Sequence, residues 1–100
     1  MAVAFLHEFS ESTQEQYDQA MEKLARSGIR SEGRLVHVAG PMEAGMEAGW
    51  RIVDVWESQE AFDAFIQQSG PVLQELEIWP PDLIKNWPVH NLLSGPENHL

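Results

Sequence analysis

Residues 50–57, Trp-Arg-Ile-Val-Asp-Val-Trp-Glu, carry apolar side chains on both faces of an extended chain. Alternation points Trp50, Ile52, Asp54 and Trp56 one way and Arg51, Val53, Val55 and Glu57 the other. Such a segment belongs inside a sheet that is covered on both sides. A chain of 100 residues makes one domain, and its own helices suffice to cover one face.

The remaining segments supply the neighbours. Residues 3–9 alternate, with Val3, Phe5, His7 and Phe9 opposed to Ala4, Leu6 and Glu8. Ser12 followed by Glu15 reads as a capping box. It opens a helix with an apolar stripe of Tyr17, Ala20, Met21, Leu24 and Ala25. Lys23 and Arg26 suit its C-terminal end, and Gly28 its C′ position. Residues 33–40 form a second strand, with Leu35, His37 and Ala39 on one face and Val36 and Val38 on the other. The tetrad Met-Glu-Ala-Gly then occurs twice over 42–49, as expected of an expanded hairpin loop.

After the third strand, Ser58 caps a second helix that buries Ala61, Phe62, Phe65 and Ile66. Gly70-Pro71 is expected to stop it, with Pro71 starting a short extra helix through Leu76. A last extended stretch covers 82–93, where Pro88 argues for an edge strand or a bend. Residues 94–100 read as a flexible polar tail beyond a single domain spanning 1–93. The order strand, helix, strand, strand, helix, strand gives an α+β, ferredoxin-like βαββαβ fold. It predicts a four-stranded antiparallel sheet with helices on one face. Strands apolar on both faces then predict a homodimer that covers the other face.

Sixteen acidic residues against six basic ones give a formal charge of −10, which argues against nucleic acid and anionic membranes as partners. With no cysteine there can be no disulfide, thiolate nucleophile or Cys-ligated metal. The N-terminus carries neither a basic region nor a long apolar run, and no window reaches a membrane span, so a cytoplasmic protein is expected.

The run 49–58, followed by Glu60-Ala61-Phe62 and Phe65, resembles the dimeric α/β-barrel superfamily. So do His37-Val38-Ala39-Gly40-Pro41 before it and 88–93 after it. This superfamily includes the antibiotic-biosynthesis monooxygenase-like proteins and members of unassigned activity. The resemblance implies two protomers packing their open sheet faces into a barrel, with a pocket between each sheet and its helices. For a member that oxidises its substrate it implies cofactor-independent oxygen chemistry, or else bound haem.

His7, His37, Asp54 and His90 are polar positions in otherwise apolar strands. Asp54, between Ile52 and Trp56, needs a partner if buried. His37 on the neighbouring strand is one candidate, and a salt bridge to Arg34 or Arg51 is the structural alternative. A His–carboxylate pair orients an imidazole as general base. His37, Asp54 and His90 are therefore the candidate catalytic residues, and Trp50, Trp56, Trp87 and Phe62 the candidate walls for a small hydrophobic or aromatic ligand. His7 reads as structural. Two histidines and one carboxylate also suggest a metal triad, but no local spacing supports one. No cofactor is expected, with haem or a metal as the alternative. Three classes stay open: a monooxygenase, cyclase or isomerase using His as base; a non-catalytic ligand-binding module; and a structural dimerisation domain.

Overall fold

The computed structural model describes residues 1–93, and the tail expected at 94–100 lies outside them. The elements follow the expected order: β1 (Val3–Phe9), α1 (Gln14–Arg26), β2 (Arg34–Pro41), β3 (Trp50–Trp56), α2 (Gln59–Glu75) and β4 (Leu83–Pro88). Their sheet is antiparallel throughout, in the order β2-β3-β1-β4. The two strands that are apolar on both faces, β1 and β3, occupy its centre. β4 lies at the edge and ends at Pro88, a residue with no N–H to offer a further ladder bond.

Both helices begin on side-chain caps, one of them a residue later than the sequence suggests. The cap of α1 is Thr13, whose hydroxyl accepts from the Gln16 N–H while the Gln16 side chain accepts from the Thr13 N–H. Thr13 to Gln16 satisfies the capping-box pattern as well as Ser12 to Glu15 does. Ser12 is instead committed through its carbonyl, which takes the Gly49 N–H at 2.8 Å and ties the loop after β2 to the start of α1. α1 closes on Gly28, at φ 71°, with Ile29 N–H bonded to Leu24 and Gly28 N–H to Ala25.

α2 is not stopped at Gly70-Pro71. It continues to Glu75 with Pro71 inside it, so no separate short helix forms. A proline ring disfavours helical backbone in the residue before it chiefly by crowding that residue's Cβ, and Gly70 has none. Gly70 and Ser69 are also buried, so packing holds the turn that proline weakens.

A bulge alters β2. Arg34 stands opposite Trp56 and Val36 opposite Val55, which leaves Leu35 as the extra residue. Leu35 is accordingly exposed and does not share a face with His37, contrary to simple alternation. Gly33, just before the bulge, accepts the Glu57 N–H, and a Cβ there would lie 2.9 Å from that of Ala61.

Phe5, His7 and Phe9 meet Asp54, Ile52 and Trp50 on the face the helices cover. The other face carries Leu6, Val38, Val53 and Trp87, with Val38 60% and Trp87 47% exposed. Arg51 and Glu8 pair across strands on this face, at 2.7 Å from Nε to Oε2.

Thr13→Ala is expected to destabilise the fold by about 1 kcal/mol, the ordinary loss for an N-cap. Ser12→Ala should cost no more than about 0.5 kcal/mol, because only its backbone is used. Urea denaturation of the two variants checks this; equal losses would contradict it.

Candidate functional site

Between the covered sheet face and the two helices lies a cavity whose lining includes His7, Tyr17, His37, Trp50, Asp54 and Phe62. Its volume is about 70 Å³. An apolar cavity of about 150 Å³ holds one benzene ring, so a ring-sized ligand would also occupy the mouth of this cavity or move its walls apart.

The β2–β3 register sets His37 directly opposite Asp54. Asp54 is 6% exposed, and His37 Nδ1 lies 2.6 Å from its Oδ1. Neither arginine takes this carboxylate: Arg51 pairs with Glu8 on the far face, and Arg34 lies over the Trp56 ring. On the other side of the imidazole, the Tyr17 hydroxyl lies 2.5 Å from His37 Nε2, with the two rings nearly parallel. An ionised carboxylate can only accept, so Nδ1 carries the hydrogen toward Asp54. In the neutral imidazole Nε2 is then bare and accepts the Tyr17 O–H. The result is a directional chain, Tyr17 to His37 to Asp54, with both links at the short end of the hydrogen-bond range.

Tyr17 was counted only as part of the helical stripe, and it is the site residue that sequence reasoning missed. The one signal was a phenol among otherwise aliphatic stripe positions. Burial pushes its hydroxyl above the usual tyrosine value; Arg34 pulls it back, and Asp54 and Asp18 push it further up. The phenol is therefore protonated at neutral pH. His37 reaches the cavity with both ring nitrogens engaged, so Tyr17 oxygen is the outer end of the chain.

His90 does not join this group. It lies beyond the end of β4, exposed, so the expected convergence of His37, Asp54 and His90 does not occur within one chain. Of the four expected wall residues, Trp50 and Phe62 line the cavity. Trp56 is fully buried behind it, against Phe62 and Phe65. Trp87 is on the open face, opposite Ala4.

His7, read from sequence as structural, lines the cavity and is 4% exposed, stacked near Phe5 and Phe62. Its Nε2 has no hydrogen-bond partner, and the same holds for the indole Nε1 of Trp50. Each such orphan costs about 1–3 kcal/mol. Burial holds the His7 imidazole below its usual value, outweighing the upward pull of the Asp54 charge.

Among the described residues no three His, Asp or Glu side chains cluster as metal ligands, and the cavity as it stands is too small for a haem macrocycle. Nor is any helix among them long and apolar enough to cross a membrane.

No family model and no curated protein matches the chain. Solved structures do. SnoaB, a cofactor-independent oxygenase from Streptomyces nogalater, is similar at TM-score 0.68 and 18% identity, over 94% of this chain and 98% of that one. A candidate antibiotic biosynthesis monooxygenase from Chloroflexus aurantiacus matches at TM-score 0.65 and 18% identity, over 95% and 100%. A dimeric ferredoxin-like protein of unknown function from Thermobifida fusca matches at TM-score 0.61 and 12% identity, over 89% and 92%. The chain thus has the ferredoxin-like fold of the antibiotic-biosynthesis monooxygenase-like proteins.

The depressed His7 value sets a sign for stability. The unfolded chain takes up a proton near 6.5 and the folded chain does so only at lower pH. The stability His7 confers as a neutral group is present above that value and is lost as pH falls toward the folded one. Between about pH 7.5 and 5.5, wild type should therefore lose more unfolding free energy than His7→Leu. Equal losses in urea titrations would show that His7 protonates freely in the fold.

Proposed function

We propose that this chain is a homodimeric enzyme that binds a small hydroxylated aromatic metabolite in the sheet–helix cavity and moves a proton along Tyr17, His37 and Asp54. The observation that carries this reading is the unbroken hydrogen-bond chain among Tyr17, His37 and Asp54, three residues that line one apolar cavity. A substrate O–H or activated C–H gives its proton to Tyr17 oxygen as the Tyr17 proton passes to His37 Nε2. Asp54 stabilises the imidazolium so formed. His37 is then the base and Tyr17 the group that touches substrate. In reverse, the same chain returns a proton to a different atom, which suffices for an isomerase or cyclase.

Oxygenation is the favoured outcome. Proton removal from an electron-rich aromatic leaves an anion able to reduce dioxygen. Conversion of a naphthol and dioxygen to a naphthoquinone and water balances in atoms: the ring C–H para to the hydroxyl becomes a carbonyl, the hydroxyl becomes the second carbonyl, and their two hydrogens leave in the water. Four electrons leave the ring and four reduce the oxygen, so no external reductant enters. The likeness to a cofactor-independent oxygenase supports this choice, and the apolar walls keep water from a reactive anion.

The dimer reading rests on the open face. Trp87 and Val38 are large and exposed there, and a second copy of the same face would cover them. Light scattering at micromolar concentration should give twice the chain mass; a monomer would count against it.

Oxygen uptake with a panel of hydroxynaphthalenes, with no cofactor added, tests the catalytic reading. Wild type should turn over at least one of them. Tyr17→Phe and His37→Asn, which keeps a donor for Asp54, should each lower turnover about a hundredfold or more while the dimer persists. Binding without turnover across the panel would favour a non-catalytic ligand-binding module.

A further inference from the structure

Arg34 reaches the cavity because of the bulge in β2. Simple alternation would put it on the open face with Val36 and Val38. The extra residue at Leu35 sets Arg34 opposite Trp56 instead, on the covered face that also carries His37 and Asp54. Among the described residues it is the one Lys or Arg that lines the cavity. Its guanidinium carbon stands 5.9 Å from the centre of the Trp56 ring. No carboxylate among the described residues lies within ion-pair distance of it, and Asp54 is taken by His37.

The cavity also has a neighbour. A groove of about 160 Å³ opens at the surface between the last turns of α1, the start of β2 and Phe65 of α2. Met21, Leu24, Arg34 and Phe65 line both spaces, so these four side chains stand between them. The cavity walls are almost wholly apolar, whereas the groove is partly polar and includes Ser31 as well as Arg34. That contrast fits an arginine with its stem toward the cavity and its charged head toward the groove. A ring-sized ligand overfills the cavity, and the groove is the adjoining space.

A guanidinium offers a planar fork of N–H donors that a carboxylate meets with two oxygens. Arg34 is half-buried, so its unpaired charge gains more from an anion than a fully exposed one would. A neutral hydroxyl would leave that charge unbalanced. A phosphate carries more charge than one arginine balances, and no second cation lines the groove among the described residues.

We propose that Arg34 determines specificity by holding a carboxylate of the ligand in this groove, while the ligand's hydroxylated ring enters the cavity toward Tyr17. This rests on the reading of the cavity as a ligand site and narrows its substrates to hydroxylated aromatic acids. His37 and Arg34 stand opposite residues two apart on β3, a span of ~7 Å, to which the arginine adds its own length. Groups at opposite ends of a two-ring aromatic suit that separation.

The test uses a hydroxynaphthoic acid bearing its two groups on opposite rings, the amide of that acid and the parent naphthol. Binding of each to the intact protein is measured by calorimetry under anaerobic conditions. Wild type should bind the acid about tenfold more tightly than the amide or the naphthol, and added salt should shrink the difference. Arg34→Met, which keeps an apolar stem, should bring the ratio of acid to naphthol affinity to about one or below. Arg34→Lys keeps the charge without the fork and should lower that ratio severalfold; it serves if Arg34→Met does not fold. Wild type binding the acid no more tightly than the amide, or an undiminished ratio in either folded variant, would overturn the role of Arg34 and leave the ligand-site reading standing. Failure of the acid, the amide and the naphthol all to bind would overturn that reading and this inference with it.

Discussion

The carboxylate of Asp54 is buried on the sheet face that both helices cover, and its tolerance there depends on one contact, His37 Nδ1 at 2.6 Å. An isolated charge at such a position would cost several kcal/mol. The contact exists only because β2 and β3 pair in the register that sets these two residues opposite one another. A slip by one residue would turn His37 to the open face and leave Asp54 alone. The bulge at Leu35 lies between this pair and the start of β2, and on the other side the duplicated loop closes through Met42 N–H to Gly49. The loop in turn is held to the start of α1 by Gly49 N–H on Ser12, and α1 carries Tyr17 to the imidazole. Register, loop and helix thus converge on one side-chain chain.

The two faces of the sheet divide the molecule's work. The covered face combines aromatic packing with titratable side chains and three unpartnered ring nitrogens, those of His7, Trp50 and Trp56, an arrangement that costs stability. The open face carries aliphatic residues, Trp87 and one cross-strand ion pair, with no helix to cover them. That asymmetry follows from the βαββαβ order, in which both crossovers pass on the same side.

Most of the fold was legible in the sequence because alternation, helical stripes and breakers agreed. The details that were not legible each reflect two local solutions of similar merit. Ser12 and Thr13 both begin a valid capping pattern, and the competing bond from Gly49 decided between them. Gly70-Pro71 reads as a stop until tertiary burial of Ser69 and Gly70 holds the helix through it. Leu35 looks like an inward residue until a bulge removes it from the alternation. For the site, Asp54 and His37 were legible as polar interruptions of apolar strands, although only register could pair them. Tyr17 was not, because an aromatic in a helical stripe reads as core. His90 reads as a polar interruption of the last extended stretch and Trp87 as an aromatic wall on it, and the end of β4 and the pleat put them elsewhere.

The direction of the hydrogen-bond chain is the claim on which the chemistry rests, and nitrogen NMR of the His37 ring tests it most directly. The ring should carry its proton on Nδ1, with a bare Nε2 accepting from Tyr17. In Tyr17→Phe, Nε2 should lose that hydrogen bond while Nδ1 keeps its proton. A proton found on Nε2 in the wild-type protein would contradict the account, because Tyr17 would then have no acceptor through which to pass a substrate proton.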